Sequence, residues 1–489
     1  MLVRTDRSLD AWNASPRYRW WVLWTVLAGL FSIEVTFTVF VVAFPKVATE
    51  LHTSVGTLTW VVTGPLLAFG VMAPVLGKAS DLWGHRRLYL WGLAGGIVCA
   101  ALTASAPNVG SLIAVRTLEG LEGAACGAAS MALIFQVFER GDRVKAMGWW
   151  SLVGAGGPVV GVALGAPIIE HVGWRWLFVG QIPVSLSALV LAAVLLPSSR
   201  RVDDRSAGQA SGAERHLDWL GASTLALSVS ALLFGLNRGP EWGWTSPGVL
   251  AAFFVVPAAA YAFVAAERRA DDPLIPLAYL RRRNFAFPIA AQVFANFAYM
   301  GGFILAPLLL ERVYGLSESH VGLVVIARPL AFSLSAPIAG YLAVRLGERT
   351  SVVAGALAVG ASMLVFASLG PRSADLVIVG ALVLSGIGLG VATPSVAASV
   401  ANAVDDVDLG VASAAQQLMA QLGIVAGIQV MATIQVSAEA SVGLMGSFRQ
   451  AYLVGALVSV GAVVCGAFVR RHQRERTEPA VVGATLPTR

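Results

Sequence analysis

The chain has 489 residues, of which 57% are hydrophobic and 13% charged, against about 25% charged in a soluble globular protein. No aqueous fold could hide that much apolar surface, so the composition excludes a soluble protein and requires lipid around most of the chain. The net charge of +6 would raise nucleic-acid binding in a soluble protein, but here membrane topology accounts for it.

Residues 1–19 are polar and basic, and the first apolar run, 20–44, is too long for the core of a cleavable signal peptide. About 20 apolar residues cross a bilayer. Such runs follow at 57–77, 88–106, 111–138, 146–168 and 174–196. After a polar linker come 217–236 and 249–264, then a charged linker, then 285–310, 321–343, 352–369, 376–401, 410–434 and 452–469. The sequence thus predicts an all-α polytopic membrane protein with fourteen spans. They are organised as a cytoplasmic tail 1–19, a six-helix bundle 20–197, a linker 198–216, two extra helices within 217–266, a linker 267–284, a second six-helix bundle 285–470 and a tail 471–489.

With the N-terminus in the cytoplasm, about three quarters of the 34 Lys and Arg fall on cytoplasmic segments. This bias puts both termini inside and explains the basic balance without nucleic acid. Cys99, Cys126 and Cys465 lie singly in apolar segments, with no spacing that suggests a metal site or redox pair. Gly386, Gly388 and Gly390 lie inside an apolar helix and do not read as a dinucleotide site.

The two six-helix units look related. After the second helix of the first unit comes a short glycine-punctuated basic turn, Gly77 to Arg87; at the matching place in the second unit comes Gly340 to Arg349. A repeated six-helix unit is the layout of many secondary transporters.

Charges at membrane depth are costly and tend to line cavities or pathways. Only Glu34, Glu119 and Glu122 are acids well inside predicted helices, and only Arg116 and Arg328 are bases there. At ~1.5 Å per residue all three glutamates fall near the middle of a core about 30 Å thick. If a proton is carried, these acids are its natural carriers. Arg116 precedes Glu119 by three residues, one helical neighbour away, a pairing that either anchors the fourth helix or serves function. Arg328 precedes Pro329; it meets a counter-charge or substrate, or else satisfies backbone carbonyls beside the proline. Gln292, Asn296 and Tyr299 recur at helical spacing, as do Gln417 and Gln421; such stripes line a substrate cavity or join helices by hydrogen bonds. Gly154, Gly157, Gly161 and Gly165 form a smooth stripe for close helix approach, and Pro158 bends that helix. Asp81 is placed to accept hydrogen bonds from a helix N-terminus.

These residues resemble the major facilitator superfamily. The turn containing Gly77, Asp81, Gly84, Arg86 and Arg87 is similar to its hallmark loop, which implies a gating role for these five. Arg116-Thr117-Leu118-Glu119-Gly120 resembles the Arg-x-x-Gln-Gly motif, Gly157-Pro158-Val159-Val160-Gly161 the antiporter Gly-Pro-x-x-Gly motif, and Gly173 to Phe178 with Ile182-Pro183 the entrance to the family's sixth helix. Together with the extra helix pair they narrow the resemblance to the fourteen-helix drug:proton antiporters. Against that pattern, Thr36 stands where an Asp is usual in the first helix, Glu34 lies two residues earlier, Glu119 replaces Gln, Val162 replaces a glycine, and Val344 stands where the first loop has Asp81. The resemblance implies a monomeric, proton-coupled exporter of small hydrophobic or amphipathic molecules in the cell membrane. It implies no enzyme activity, cofactor, metal or nucleic-acid partner. A dedicated exporter of a lipid or secondary metabolite is the alternative, and a sensor that has lost transport is a more distant one.

Overall fold

The computed structural model describes residues 17–53, 55–58, 60–197, 217–270, 273–370 and 375–470. The linker 198–216, most of both tails and the side chains of Thr36 and Val162 lie outside the described residues. The described residues are helical almost throughout, as lipid demands: a backbone N–H or C=O without a partner costs several kcal/mol in hydrocarbon, and a helix pairs its own. Twelve stretches among the described residues are long and apolar enough to cross a membrane.

In the first half run α1 (Tyr18–Glu50), α2 (Trp60–Trp83), α3 (His85–Ala104), α4 (Val109–Val137), α5 (Arg143–His171) and α6 (Arg175–Leu195). The hairpin α7 (Trp219–Trp242) and α8 (Pro247–Glu267) follows. The second half contains α9 (Arg283–Arg312), α10 (Ala327–Leu346), α11 (Glu348–Ser368), α12 (Asp375–Asn402) and α13 (Leu409–Ala467). Local chemistry sets several ends. Asn108 caps α4 reciprocally with Ser111, and Asp218 accepts from the Gly221 N–H at the start of α7.

Two elements differ from the sequence-based boundaries. The run 321–343 is one span, His320–Leu346, whose hydrogen-bond ladder is interrupted at Ile326, between a short helix Glu318–Val325 and α10, while Ile326 itself keeps helical angles. Pro329 has no N–H to donate and its ring crowds the carbonyl four residues back, so the helix restarts there. This leaves Arg328 in the first turn of α10. The final stretch, α13, is 59 residues. Straight, it would extend roughly 90 Å, about three bilayer cores. It folds back instead at Gly443, whose φ of 75° and ψ of 171° suit only glycine.

Within the first half, α1 packs on α5 and α6, α2 on α4, and α3 on α4 and α6. Within the second, α9 packs on α13, α10 and α11 on α12, and α11 on α13. The halves meet mainly at two crossings, α2 with α13 and α5 with α10, with further contact of α4 on α13 and of α5 on α12, and α7 leans on α2 and α13 beside the first crossing.

Candidate functional site

The two crossings are built alike. At the first, Gly77 of α2 lies against the Gly410 carbonyl and Ala414 of α13; at the second, Gly340 of α10 lies against the Val144 carbonyl and Gly148 of α5. A Cβ on Gly340 would come within 2.8 Å of that carbonyl, so both contacts require glycine. The turns that follow also match. Gly84 has φ 92°, ψ 130° and Gly347 has φ 91°, ψ 150°, a conformation costly for any residue with a side chain. The repeat read from the loops is thus present in the backbone.

Asp81 connects the halves. Its Oδ1 accepts from the Gly410 N–H at 2.7 Å and its Oδ2 from the Val411 N–H at 2.8 Å. These two amides open α13, so the carboxylate sits at the positive end of a helix. His85 Nε2 lies 3.7 Å from Oδ1 and is held by Ser80 through Nδ1 at 2.6 Å.

Arg143, at the start of α5, makes the complementary contact. It donates to the Ala401 carbonyl at 3.1 Å, to Asn402 Oδ1 at 3.2 Å and to Asp406 at 3.1 Å, a cation at the negative end of α12. The linker segment 273–284 reinforces the same end. Tyr279 donates to Asp408 at 2.5 Å, Arg282 to the Ala403 carbonyl at 2.7 Å, and Lys78 of α2 donates to the Pro273 carbonyl at 3.0 Å. Burial, with Asp408 next, pushes the Tyr279 hydroxyl above its usual range, which keeps it a donor. Arg143 stands between two predicted spans, where a cation that sets topology looks the same as one that bridges helices, and nothing local in the sequence marks Tyr279.

Arg86 and Arg87 lie away from these contacts in this arrangement. Arg86 donates to the Ala193 carbonyl of α6, within the first half, at 2.6 Å, and Arg87 is exposed. Both lie on the first turn of α3, which packs on α4 and α6 of its own half.

The acidic group lies in the first half. Arg116 and Glu119 form an ion pair along α4, and Glu119 also accepts from Thr103 of α3 at 2.9 Å. Arg116 is 1% exposed and its guanidinium stands 5.6 Å from the Phe178 ring centre. Glu122, one turn on, is buried against Gly96 of α3, and its Oε1 has no hydrogen-bond partner. Glu119, Arg116 and Glu34 are near enough to act on its charge. Glu34 of α1 packs on Gly157, and Gly161 approaches the Val35 carbonyl. Two glycines of the α5 stripe, Gly157 and Gly161, face α1, while two glycines outside it, Gly148 and Gly156, face α10 at Ala336 and Ser333. Among the described residues, a Cβ on Gly154 would meet Trp150 of its own helix. α5 stays helical through Pro158.

The polar residues read as a cavity divide into two groups. Gln417 reaches across to Gly127 and Met131 of α4, and Gln421 lies by Gly70 of α2; both stand where the halves meet. Gln292 and Asn296 are buried in the second half, and Gln292 lines a void of about 10 Å³ between α9, α11 and α12. Tyr299 and Arg328 meet further along the same bundle, where Arg328 donates to the Tyr299 carbonyl.

Residues 26–317 and 289–488 match the family described as the Major Facilitator Superfamily. The tetracenomycin C resistance and export protein of Streptomyces glaucescens is 29% identical over 91% of this chain and 82% of its own length. The multidrug resistance protein Stp of Mycobacterium tuberculosis is 29% identical over 83% and 74%. The puromycin resistance protein pur8 of Streptomyces alboniger is 29% identical over 87% and 83%. Among solved structures, the proton:xylose symporter XylE superposes with a TM-score of 0.68 at 13% identity, covering 93% of this chain and 96% of that one. The human organic anion transporter MFSD10 does so with 0.62 at 17%, covering 91% and 100%. Two glycine-matched crossings between related helical halves, with a family match along almost the whole chain, establish that this chain belongs to the Major Facilitator Superfamily of membrane transporters.

Proposed function

We propose that the chain is a proton-coupled antiporter that exports small hydrophobic or amphipathic compounds, drugs among them, by alternating access. On this reading it has fourteen spans, counting α1 and the two arms of α13 separately, both termini in the cytoplasm, and acts as a monomer in the cell membrane. The end held by Asp81 and Arg143 is then the cytoplasmic gate, and the structure corresponds to a state closed on that side.

The observation that carries the reading is the position of Glu34 and Glu122. Glu122 is a buried acid with an unpartnered oxygen, within electrostatic reach of Glu34 and of the Arg116–Glu119 pair. Glu34 in turn packs on the face of α5 opposite the one that crosses to α10. Protonation of Glu34 changes the charge beside α5, which touches both halves, and protonation of Glu122 changes the charge that acts on Glu34. Binding a proton from outside favours one packing of α5 and releasing it inside favours the other, which is the differential affinity a coupled transporter requires. Arg116 holds Glu119 as its counter-ion, so the labile proton resides on Glu122 or Glu34. Gln417 and Gln421, between the halves, supply polar contacts to a substrate that the opening exposes.

The test is ethidium movement by purified protein in liposomes, with and without an imposed proton gradient. Uptake that is equally fast without the gradient would reject the coupling. A narrower reading, export of one secondary metabolite, draws on a relative whose name specifies a single compound, tetracenomycin C. A panel of unrelated compounds separates the two, since a dedicated exporter moves one and ignores the rest.

A further inference from the structure

Arg328 is 0% exposed and sits among rings. Its guanidinium lies 3.9 Å from the Tyr299 ring centre and 5.8 Å from that of Phe303. One nitrogen donates to the Tyr299 carbonyl, while Nε and Nη1 are buried without a hydrogen-bond partner. The groups that act on its charge are Tyr299 and Tyr452, and among the described residues no carboxylate forms an ion pair with it. Tyr452 stacks on Phe366 at 4.8 Å, and its hydroxyl is buried without a partner as well.

An arginine cannot shed its proton here, and a buried cation without a counter-charge is strongly destabilising. The rings offset part of that cost through their negative faces, and the carbonyl a little more. Neither accounts for the unfilled N–H donors of the guanidinium, nor for a hydroxyl near enough to act on the same charge and unfilled as well. An anion on the Gly302 side would take the Nη1 donor. The surrounding walls are flat and aromatic, and Gly302 leaves the near side of the guanidinium without a side chain: a Cβ there would stand 3.6 Å from Nη1. The Met363 thioether, next to Gly302, is the flexible neighbour best able to move aside.

We infer that Arg328, with Tyr452 and the Tyr299 and Phe303 rings, forms an anion site in the second half that takes the acidic group of an aromatic or hydrophobic substrate, a carboxylate or ionised phenol. The inference rests on the transporter reading but not on proton coupling. It divides the labour between the halves, with acids for the proton in the first and a cation for an acidic substrate in the second. The same donors could also take a small inorganic anion, so the test includes one.

The experiment is thermal stabilisation of the purified full-length protein in detergent on titration with sodium salicylate, with sodium chloride in a gluconate background, and with cyclohexylammonium as a cation control. Saturable stabilisation by salicylate alone identifies an organic-acid site; stabilisation by salicylate and chloride alike identifies a general anion site. Either must weaken roughly 10- to 100-fold in Arg328→Gln, the loss expected for a charge-assisted contact. Should that variant fail to fold, Tyr452→Phe must weaken salicylate several-fold and Arg328→Lys must retain part of it. No stabilisation by either anion, or the same response in wild type and variants, overturns the proposal and makes Arg328 a structural group. Ethidium transport driven by a proton gradient is scored separately, so either reading can fail alone.

Discussion

Replacing Asp81 by Ala should open the latched end. The carboxylate accepts two backbone N–H groups from the other half, at 2.7 and 2.8 Å, and its side chain is 1% exposed. Alanine leaves both amides of α13 without their acceptor, and an unsatisfied buried donor costs about 1–3 kcal/mol. Allowing for water entry, the latched state should lose about 2–4 kcal/mol relative to the open one, a shift of roughly 30- to 1,000-fold in their ratio. Asp81→Asn keeps one acceptor oxygen and should give about half that free energy. The assay is pulsed electron–electron distance measurement between spin labels on Arg140→Cys and Arg349→Cys, two exposed positions on opposite halves, with Cys99, Cys126 and Cys465 replaced by Ser. The Ala variant should show a longer, broader distance than the parent, with the Asn variant between them. Identical distributions in all three, with transport nevertheless lost in Asp81→Ala, would show that Asp81 does not hold the halves together.

Other perturbations test neighbouring parts of the structure. Glu122→Gln should lower gradient-driven export at least tenfold while leaving substrate binding in detergent within a few-fold, measured by transport and fluorescence titration on the same preparation. Gly161→Val inserts a branched side chain against the Val35 carbonyl; thermal unfolding should show a loss of about 1–3 kcal/mol, or, where the fold adjusts, a transport rate reduced by helix separation. Arg143→Ala removes the donor to Ala401, Asn402 and Asp406 and should widen the same label distance as Asp81→Ala. Tyr279→Phe should act in the same direction but more weakly, by about 1 kcal/mol, since it removes only the hydroxyl bonded to Asp408 and Asp405.

Much of this was legible because lipid leaves few options. Apolar runs had to be helices, and the matching turns after α2 and α10 pointed to a repeat whose backbone angles at Gly84 and Gly347 agree within a few tens of degrees. Glu119 could be paired with Arg116 from spacing alone, because three residues along a helix fix neighbours. Contacts between helices were not legible in the same way. Nothing local indicates that Glu122 would face Gly96, that Glu34 would pack on Gly157, or that Gln292 would be enclosed in one half while Gln417 reached across to the other. Those outcomes depend on the rotation of each helix, set by packing over its whole length. Arg86 is instructive in the same way: it follows Asp81 by five residues, but Gly84 turns the chain between them, so in this arrangement Asp81 lies at the crossing and Arg86 bonds to Ala193 within its own half.

The same turn shows why two related halves use unlike chemistry. Aligning Gly77 with Gly340 and Gly84 with Gly347 puts Val344 where the first half has Asp81. The second crossing therefore lacks an acid at that place, and Glu348, just past Gly347, accepts instead from Ser399 and Asn402 within its own half. The cross-half contact on that side comes from Arg143, on the opposite partner and with the opposite charge. An anion on the N-terminus of α13 and a cation on the C-terminus of α12 each match a helix end, and both belong to the first half. The short segment between those ends, 402–409, is thus held at each side by one rigid body. Tyr279 and Arg282 hold it from the linker, which is itself joined to the first half through Lys78. Opening that end must break all of these contacts together, so the transition should be all-or-none. In the double variant Asp81→Ala with Arg143→Ala, the same open distance should therefore be populated more than in either single variant, with no third distance. A distinct intermediate distance in either single variant would instead describe two independent contacts.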